Sequence, residues 1–239
     1  MKTAVSIFIW IIGAFLAFSA LLSCLFFAVA LFPFDRQRRA VHAQFFWLSD
    51  LIIGLSPFWR LNISGLENAD KAGTYVIISN HQSMADIIIM YKTRLQFKWV
   101  AKESLYKVPF VNVFLLLGRH IMLSKCRLRR TRRFYKEAGE FLRNGMSLFF
   151  FPEGTRSRTG SLGKFQNGAF KMAIREKVPI LPVFIEGSRN VLEKGSWRIN
   201  AMATCGLRVL PPIDTDGMGR GDLARLKDMV HSRFEAIAV

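Results

Sequence analysis

Carboxylates, cysteine and histidine are all scarce in this chain. Asp and Glu total 17 against 34 Lys and Arg, a formal charge of +17 over 239 residues. That imbalance points to anionic partners: nucleic acid, an acidic lipid surface or a phosphorylated small substrate. The three cysteines, Cys24, Cys126 and Cys205, are too few and too scattered for a disulfide framework or a metal-spaced cluster. A reduced, cytoplasm-facing catalytic portion is the simplest reading. Internal repeats and low-complexity linkers are missing as well, which excludes a repeat array.

Charge itself is absent from Ala4 to Phe32, a stretch rich in Phe, Leu, Ile and Ala. As a helix it is ~43 Å long, more than the ~30 Å of a bilayer's hydrocarbon core. Ala28-Val29-Ala30 has the form of a signal-peptide cleavage site, but the apolar run is about twice the usual length and only Lys2 precedes it. The sequence therefore predicts a retained membrane anchor. Arg36, Arg38 and Arg39 follow at once and place the downstream chain in the cytoplasm, at the inner membrane if the source is bacterial. A second apolar segment, Gln44 to Trp59, carries Asp50, whose charge makes it a poor span, and the aromatic residues Phe45, Phe46, Trp47, Phe58 and Trp59. It reads as an amphipathic helix lying at the interface; a hairpin confined to one leaflet is the alternative. The chain divides into residues 1–59, anchor and interfacial helix, and residues 60–239, a globular domain.

In the globular part, Thr74–Ser79, Phe97–Ala101, Met146–Phe151 and Ile180–Ile185 are short apolar runs that predict buried strands. Ser83-Met84-Ala85-Asp86 has the spacing of a capping box opening a helix through Met90. Phe110, Val113, Phe114 and Leu117 predict a helix ended by Gly118, and Phe134, Ala138, Phe141 and Leu142 another ended by Gly145. Leu223, Leu226, Val230, Phe234 and Ile237 predict the last. Strands separated by helices imply an α/β fold with a largely parallel sheet covered by helices. Loops following parallel strands share one sheet edge, where ligands bind. Three exits then converge: "NHQSMAD", "PEGTRSR" and "EGSRN".

His81 and Asp86 stand in the first exit. On one continuous helix, residues five apart point about 140° away from each other. If the helix starts at Ser83, the preceding loop can fold the imidazole over the carboxylate. Asp86 then fixes the ring's tautomer and leaves the other nitrogen to take a proton from a hydroxyl. A helix-capping carboxylate beside an incidental histidine is the plain alternative. In the second exit, Glu153, Gly154, Thr155 and Arg156 form a turn whose glycine permits close backbone approach and whose guanidinium suits a phosphate or carboxylate. "KCRLRRTRRFYK", Lys125 to Lys136, holds seven basic residues in twelve. Next to a membrane anchor, anionic headgroups or an acidic carrier protein fit this run better than nucleic acid.

"NHQSMAD" and "FPEGTRS", in this order and spacing, resemble the two hallmark motifs of the glycerolipid acyltransferases, in particular enzymes similar to 1-acylglycerol-3-phosphate acyltransferase. "VPILPV" and the Lys102-containing "WVAKESLYKVPF" resemble further family blocks, over about residues 61–215. One departure stands out. Where the family usually reads Gly-x-Ile-Phe-Ile-Asp-Arg, this chain has "GRHIMLSKC", with Ser124 and Lys125 replacing Asp-Arg. The resemblance implies acyl transfer from acyl-coenzyme A or acyl-acyl carrier protein to a lysophospholipid hydroxyl. His81 is then the base, Asp86 its orienting partner, and Arg156, with Glu153, Gly154, Thr155 and Lys102, the acceptor site. It implies no metal, no cofactor beyond the thioester co-substrate, and no covalent acyl-enzyme on Ser83 or Cys126. A different lysolipid acceptor, or a non-catalytic membrane-bound lipid-binding protein, are the rival readings.

Overall fold

The computed structural model describes residues 2–56, 59–123, 128–200 and 202–238. Two helices come first, α1 (Lys2–Ala30) and α2 (Arg39–Gly54). Between them the Asp35 carboxylate accepts the N–H groups of Arg39 and Ala40, each at 2.8 Å, and so satisfies two donors that a helix start leaves open. Seven strands follow: β1 (Trp59–Ser64), β2 (Val76–Ser79), β3 (Phe97–Lys102), β4 (Ile121–Leu123), β5 (Ser147–Phe150), β6 (Ile180–Glu186) and β7 (Ala203–Val209). They form one sheet in the order β1-β7-β6-β2-β5-β3-β4. From β6 to β4 all neighbours are parallel; β7 runs antiparallel to β6, and β1 parallel to β7. The fold is thus α/β with a largely parallel sheet, as the alternation of strands and helices implies. The reversal at β7 arises because, among the described residues, a short turn, Ser188–Asn190, and loop residues connect it to β6, with no crossover helix.

Side chains alternate across the sheet with the period of two that a pleated strand imposes. Val76, Ile78, Leu148, Phe150, Ile180 and Phe184 face α5 (Leu128–Arg143), α6 (Gly168–Glu176) and α7 (Leu223–Glu235). Ile77, Phe149, Leu181, Val183 and Ile185 face the other way, onto α3 (Ala85–Met90), Tyr91 and the inner side of α2. Burial on both faces is why these strands appear in the sequence as unbroken apolar runs.

The anchor lies against the domain rather than apart from it. Among the described residues, Thr3–Ala30 is the one helix long and apolar enough to cross a membrane. Its outer face exposes Phe15, Phe18 and Phe26. Its inner face is held along its length: Trp10 Nε1 donates to the Trp197 carbonyl at 2.7 Å, and Ser23 Oγ to Gln44 Oε1 at 2.9 Å. Cys24 and Ala28 pack on Val41, Phe114 and Leu117. Helix α2 is less of a surface element than the sequence implies. Val41, His42 and Ser49 are buried, and Asp50 pairs with Lys92 at 2.6 Å and also with Arg94, so the charge that argued against a span is a contact to the domain. Helix α4 (Val111–Leu117) forms as expected, but Phe110 stands before it, with φ of 63° and its ring exposed, while Phe114 and Leu117 face α1.

Behind α2 lies an uncommon buried group. Lys98 is fully buried and has no carboxylate partner among the described residues; its ammonium donates to the Gly118 carbonyl at 2.6 Å and sits 5.6 Å from the Phe141 ring. Burial lowers its pKa from 10.5 to about 7, with nearby Arg119, Arg39 and Arg38 acting in the same direction and Asp35 against it. The folded group gives up its proton near pH 7 and the unfolded one near 10.5, so the unfolded chain binds more protons across that window. Stability therefore rises with pH between these values, by up to roughly 1.4 kcal/mol per unit, and is lost again as pH falls towards 7. Lys98→Met is expected to flatten this slope. Thermal midpoints of wild type and variant between pH 6 and 10 check it.

Candidate active site

The β2 exit begins with Asn80, whose side chain acts as a substitute strand partner. It donates to the Ile185 carbonyl at 2.7 Å and accepts the Ile185 N–H at 2.8 Å, joining the ends of β2 and β6. His81 and Asp86 then meet as the loop reading requires. His81 Nδ1 lies 2.8 Å from Asp86 Oδ2. The same oxygen accepts the backbone N–H groups of Gln82 at 2.8 Å and Ser83 at 2.9 Å. An oxygen already accepting two backbone donors is an acceptor for the ring as well, so Nδ1 carries the proton and Nε2 presents its lone pair. Nε2 has no hydrogen-bond partner among the described residues. The imidazole stacks on Phe151, centroids 3.8 Å apart and planes 11° from parallel. Its side chain is 13% exposed, and that of Asp86 is fully buried.

The capping box is only half present. Asp86 receives the Ser83 N–H, but the Ser83 hydroxyl donates to the Leu192 carbonyl at 2.8 Å, and the helix proper begins at Ala85. Its oxygen still accepts the Ala85 N–H at 3.3 Å, so the hydroxyl caps the first turn while its own hydrogen goes to the loop after β6.

The β5 exit packs against His81 on both sides of its peptide. Glu153 Oε1 accepts the His81 N–H at 2.9 Å, and the His81 carbonyl accepts the Ser157 N–H at 2.8 Å. Glu153 Oε2 takes the Gly163 N–H at 2.9 Å, so this carboxylate staples three loop segments. Burial raises its pKa above the usual carboxylate range, opposed by the His81 and Gly163 donors. Gly154 has φ of 68°, a conformation costly for other residues, and Lys102 at the end of β3 lies over it. The Arg156 guanidinium is half-exposed and has no carboxylate partner among the described residues. His81, Asp86, Glu153, Gly154, Thr155, Arg156 and Lys102 thus gather at one sheet edge. Ser124, Lys125 and Cys126 lie outside the described residues. Sequence reasoning missed Phe151, Asn80 and Lys194; the last donates to Thr155 Oγ1 at 3.0 Å and to the Arg156 carbonyl at 2.6 Å.

Beside the α3 start, an apolar cavity of about 500 Å³ opens between α1, α2 and α3, with Gly13, Ala17, Ile52, Met84, Ala85 and Ile88 among its walls.

An oriented imidazole with one nitrogen and a guanidinium without partners among the described residues, near an apolar cavity, can chemically take a proton from a hydroxyl and bind an anion. Comparison with known proteins gives the class. Residues 60–186 match the family model described as acyltransferase, and the chain belongs to that family. It is similar to the chloroplastic 1-acyl-sn-glycerol-3-phosphate acyltransferase LPAT1 of Arabidopsis thaliana, 35% identical over 166 residues, which cover 68% of this chain and 46% of that protein. It is also similar to the 1-acyl-sn-glycerol-3-phosphate acyltransferase of Borreliella burgdorferi, 29% identical over 75% of this chain and 74% of that one. The chain spans about half the length of the two chloroplastic relatives it matches, that of Arabidopsis thaliana and that of Brassica napus. The crystal structure of the 1-acyl-sn-glycerophosphate acyltransferase PlsC from Thermotoga maritima shares the fold, with a TM-score of 0.79 at 24% identity over 99% of this chain and 97% of that chain.

Removing the Asp86 carboxylate leaves the Gln82 and Ser83 N–H groups without acceptors. Asp86→Ala is expected to lower stability by about 2–4 kcal/mol. Asp86→Asn, which keeps one acceptor oxygen, should lose less. Denaturant or thermal unfolding in detergent measures both, and equal losses would show that the backbone donors are not the main cost.

Proposed function

We propose that this chain transfers an acyl group from an acyl thioester, of coenzyme A or an acyl carrier protein, to the free hydroxyl of 1-acyl-sn-glycerol-3-phosphate, forming phosphatidic acid. The observation that carries the reading is the His81–Asp86 pair, with Nδ1 held and Nε2 free. Support for the acceptor comes from the names of the relatives and from Arg156, which has no carboxylate partner among the described residues and precedes Ser157, whose N–H bonds the His81 carbonyl. His81 Nε2 takes the acceptor's hydroxyl proton as the oxygen attacks the thioester carbonyl. The tetrahedral intermediate collapses, the carbon–sulfur bond breaks, and the imidazolium returns its proton to the leaving thiolate. Asp86 stabilises the transient imidazolium. No covalent acyl-enzyme forms.

Arg156 and Lys102 hold the acceptor phosphate, Glu153, Gly154 and Thr155 shape that loop, and the apolar cavity beside α3 accommodates an acyl chain. The anchor docks in a membrane whose anionic headgroups meet Arg36, Arg38 and Arg39, with the active-site edge on the cytoplasmic side. The basic helix α5 packs on the sheet face opposite α2 and α3, where an acidic thioester carrier from solution suits it better than lipid.

The test is product formation by purified protein with labelled acyl thioester and a panel of lysolipids. Wild type should form phosphatidic acid. His81→Ala should lose activity by roughly 10²–10⁴-fold with little change in thermal midpoint. Turnover retained in His81→Ala removes the base. Free fatty acid released without acceptor makes the protein a hydrolase. Transfer only to another lysolipid moves the acceptor assignment and directs attention to Ser124 and Lys125.

A further inference from the structure

The loop between β6 and β7, which opens with the third strand exit, "EGSRN", ties several parts of the site together. Near its start the Arg189 guanidinium donates to the Thr159 carbonyl at 2.8 Å. The Leu192 carbonyl accepts the hydroxyl of Ser83, which lies two residues after His81 and three before Asp86, at 2.8 Å. The Lys194 ammonium then reaches the β5 exit, donating to Thr155 Oγ1 at 3.0 Å and to the Arg156 carbonyl at 2.6 Å. Further on, the loop is fastened to α1: the Trp197 carbonyl accepts Trp10 Nε1 at 2.7 Å, and the Ile199 N–H donates to Ser6 Oγ at 3.0 Å. The Asn200 carbonyl accepts Trp59 Nε1 at 3.0 Å. A segment pinned to α1, β1 and the loop before α3 is a stiff support from which a lysine can hold a neighbouring turn.

The ends of that turn are held by Glu153, by the Gly154 N–H on the Phe151 carbonyl and by the Ser157 N–H on the His81 carbonyl. Between them, Lys194 supplies the side-chain bonds to Thr155 and the Arg156 carbonyl, and the Arg156 side chain has no hydrogen-bond partner of its own among the described residues. The aim of the guanidinium is therefore set by where the backbone of residues 155 and 156 is placed. The Lys194 ammonium grips that backbone through a charge-assisted bond to the Arg156 carbonyl, the stronger kind of hydrogen bond.

We propose that Lys194 is a positioning residue for the acceptor-binding turn: it fixes Thr155 and the Arg156 carbonyl so that the Arg156 guanidinium meets the phosphate of the acceptor. Lys194 acts through Arg156, and the acyl thioester is indifferent to it. The inference rests on the functional reading given above for Arg156, and the experiment separates the two.

The test compares full-length wild type, Lys194→Met and Lys194→Arg in the same detergent or lipid disc. Lys194→Met should raise the KM for 1-acylglycerol-3-phosphate by about tenfold, the scale of one charge-assisted hydrogen bond. The KM for the thioester and the thermal midpoint should stay close to wild type, and Lys194→Arg should recover most of the loss. Hydrogen exchange supplies a readout that does not need turnover: residues 153–160 should exchange faster in Lys194→Met, while β5 and β6 remain as protected as in wild type. Unchanged acceptor KM and unchanged exchange overturn the proposal. A uniform loss of stability with no recovery by arginine also overturns it, because Lys194 is then a structural contact only. If wild type transfers to no acceptor while the exchange of residues 153–160 still responds, the functional reading fails and the positioning of the turn stands.

Discussion

One carboxylate oxygen organises this site. Asp86 Oδ2 accepts three N–H groups, from the His81 ring and from the Gln82 and Ser83 backbones, while its side chain is sealed from solvent. A buried carboxylate without such donors would be costly, so the loop must wrap around it. Wrapping the loop brings the imidazole back over the start of α3, which a continuous helix would forbid for residues five apart. It also turns Nε2 outwards as a lone pair. Tautomer, loop path and helix start are thus consequences of the same set of hydrogen bonds. The sheet supplies the setting: β2 lies between β6 and β5, so Asn80 can join one neighbour and His81 the other without any long connection.

How much of this is legible in the sequence follows from burial. β2, β3, β5 and β6 are covered on both faces and appear as apolar runs, and α5 and α7 show their buried stripes. β7 hides because Thr204 and Arg208 are exposed and Gly206 interrupts the run; a Cβ there would meet the Glu186 side chain at 2.4 Å. β1 alternates between half-buried and exposed residues, and β4 has three residues, too few for a pattern. α6 opens at Gly168 and is nine residues long, so its apolar face is brief.

The site divides in the same way. His81, Asp86 and the Glu153–Arg156 turn are local motifs whose spacing already carries chemistry. The Ser83 hydroxyl caps the helix start through the Ala85 N–H, but its donated bond to Leu192, far along the chain, is a contact no local motif announces. Lys194 leaves no signal in a linear reading. It is one lysine among many, and its contact with residues 155 and 156 exists only because β6 lies on one side of β2 and β5 on the other. The anchor shows the same dependence on tertiary context: Asp50 looks like an obstacle to membrane insertion until Lys92 and Arg94 are placed against it.

The central claim is that Asp86 fixes the protonation pattern of His81. Nitrogen NMR of histidine-labelled protein, with His81 assigned by its loss in His81→Ala, reads this pattern for the neutral ring. The account predicts the tautomer with the proton on Nδ1 and an unprotonated Nε2. A neutral ring carrying its proton on Nε2 would contradict it, because the lone pair would then face Asp86 and none would be left to accept a proton from a hydroxyl.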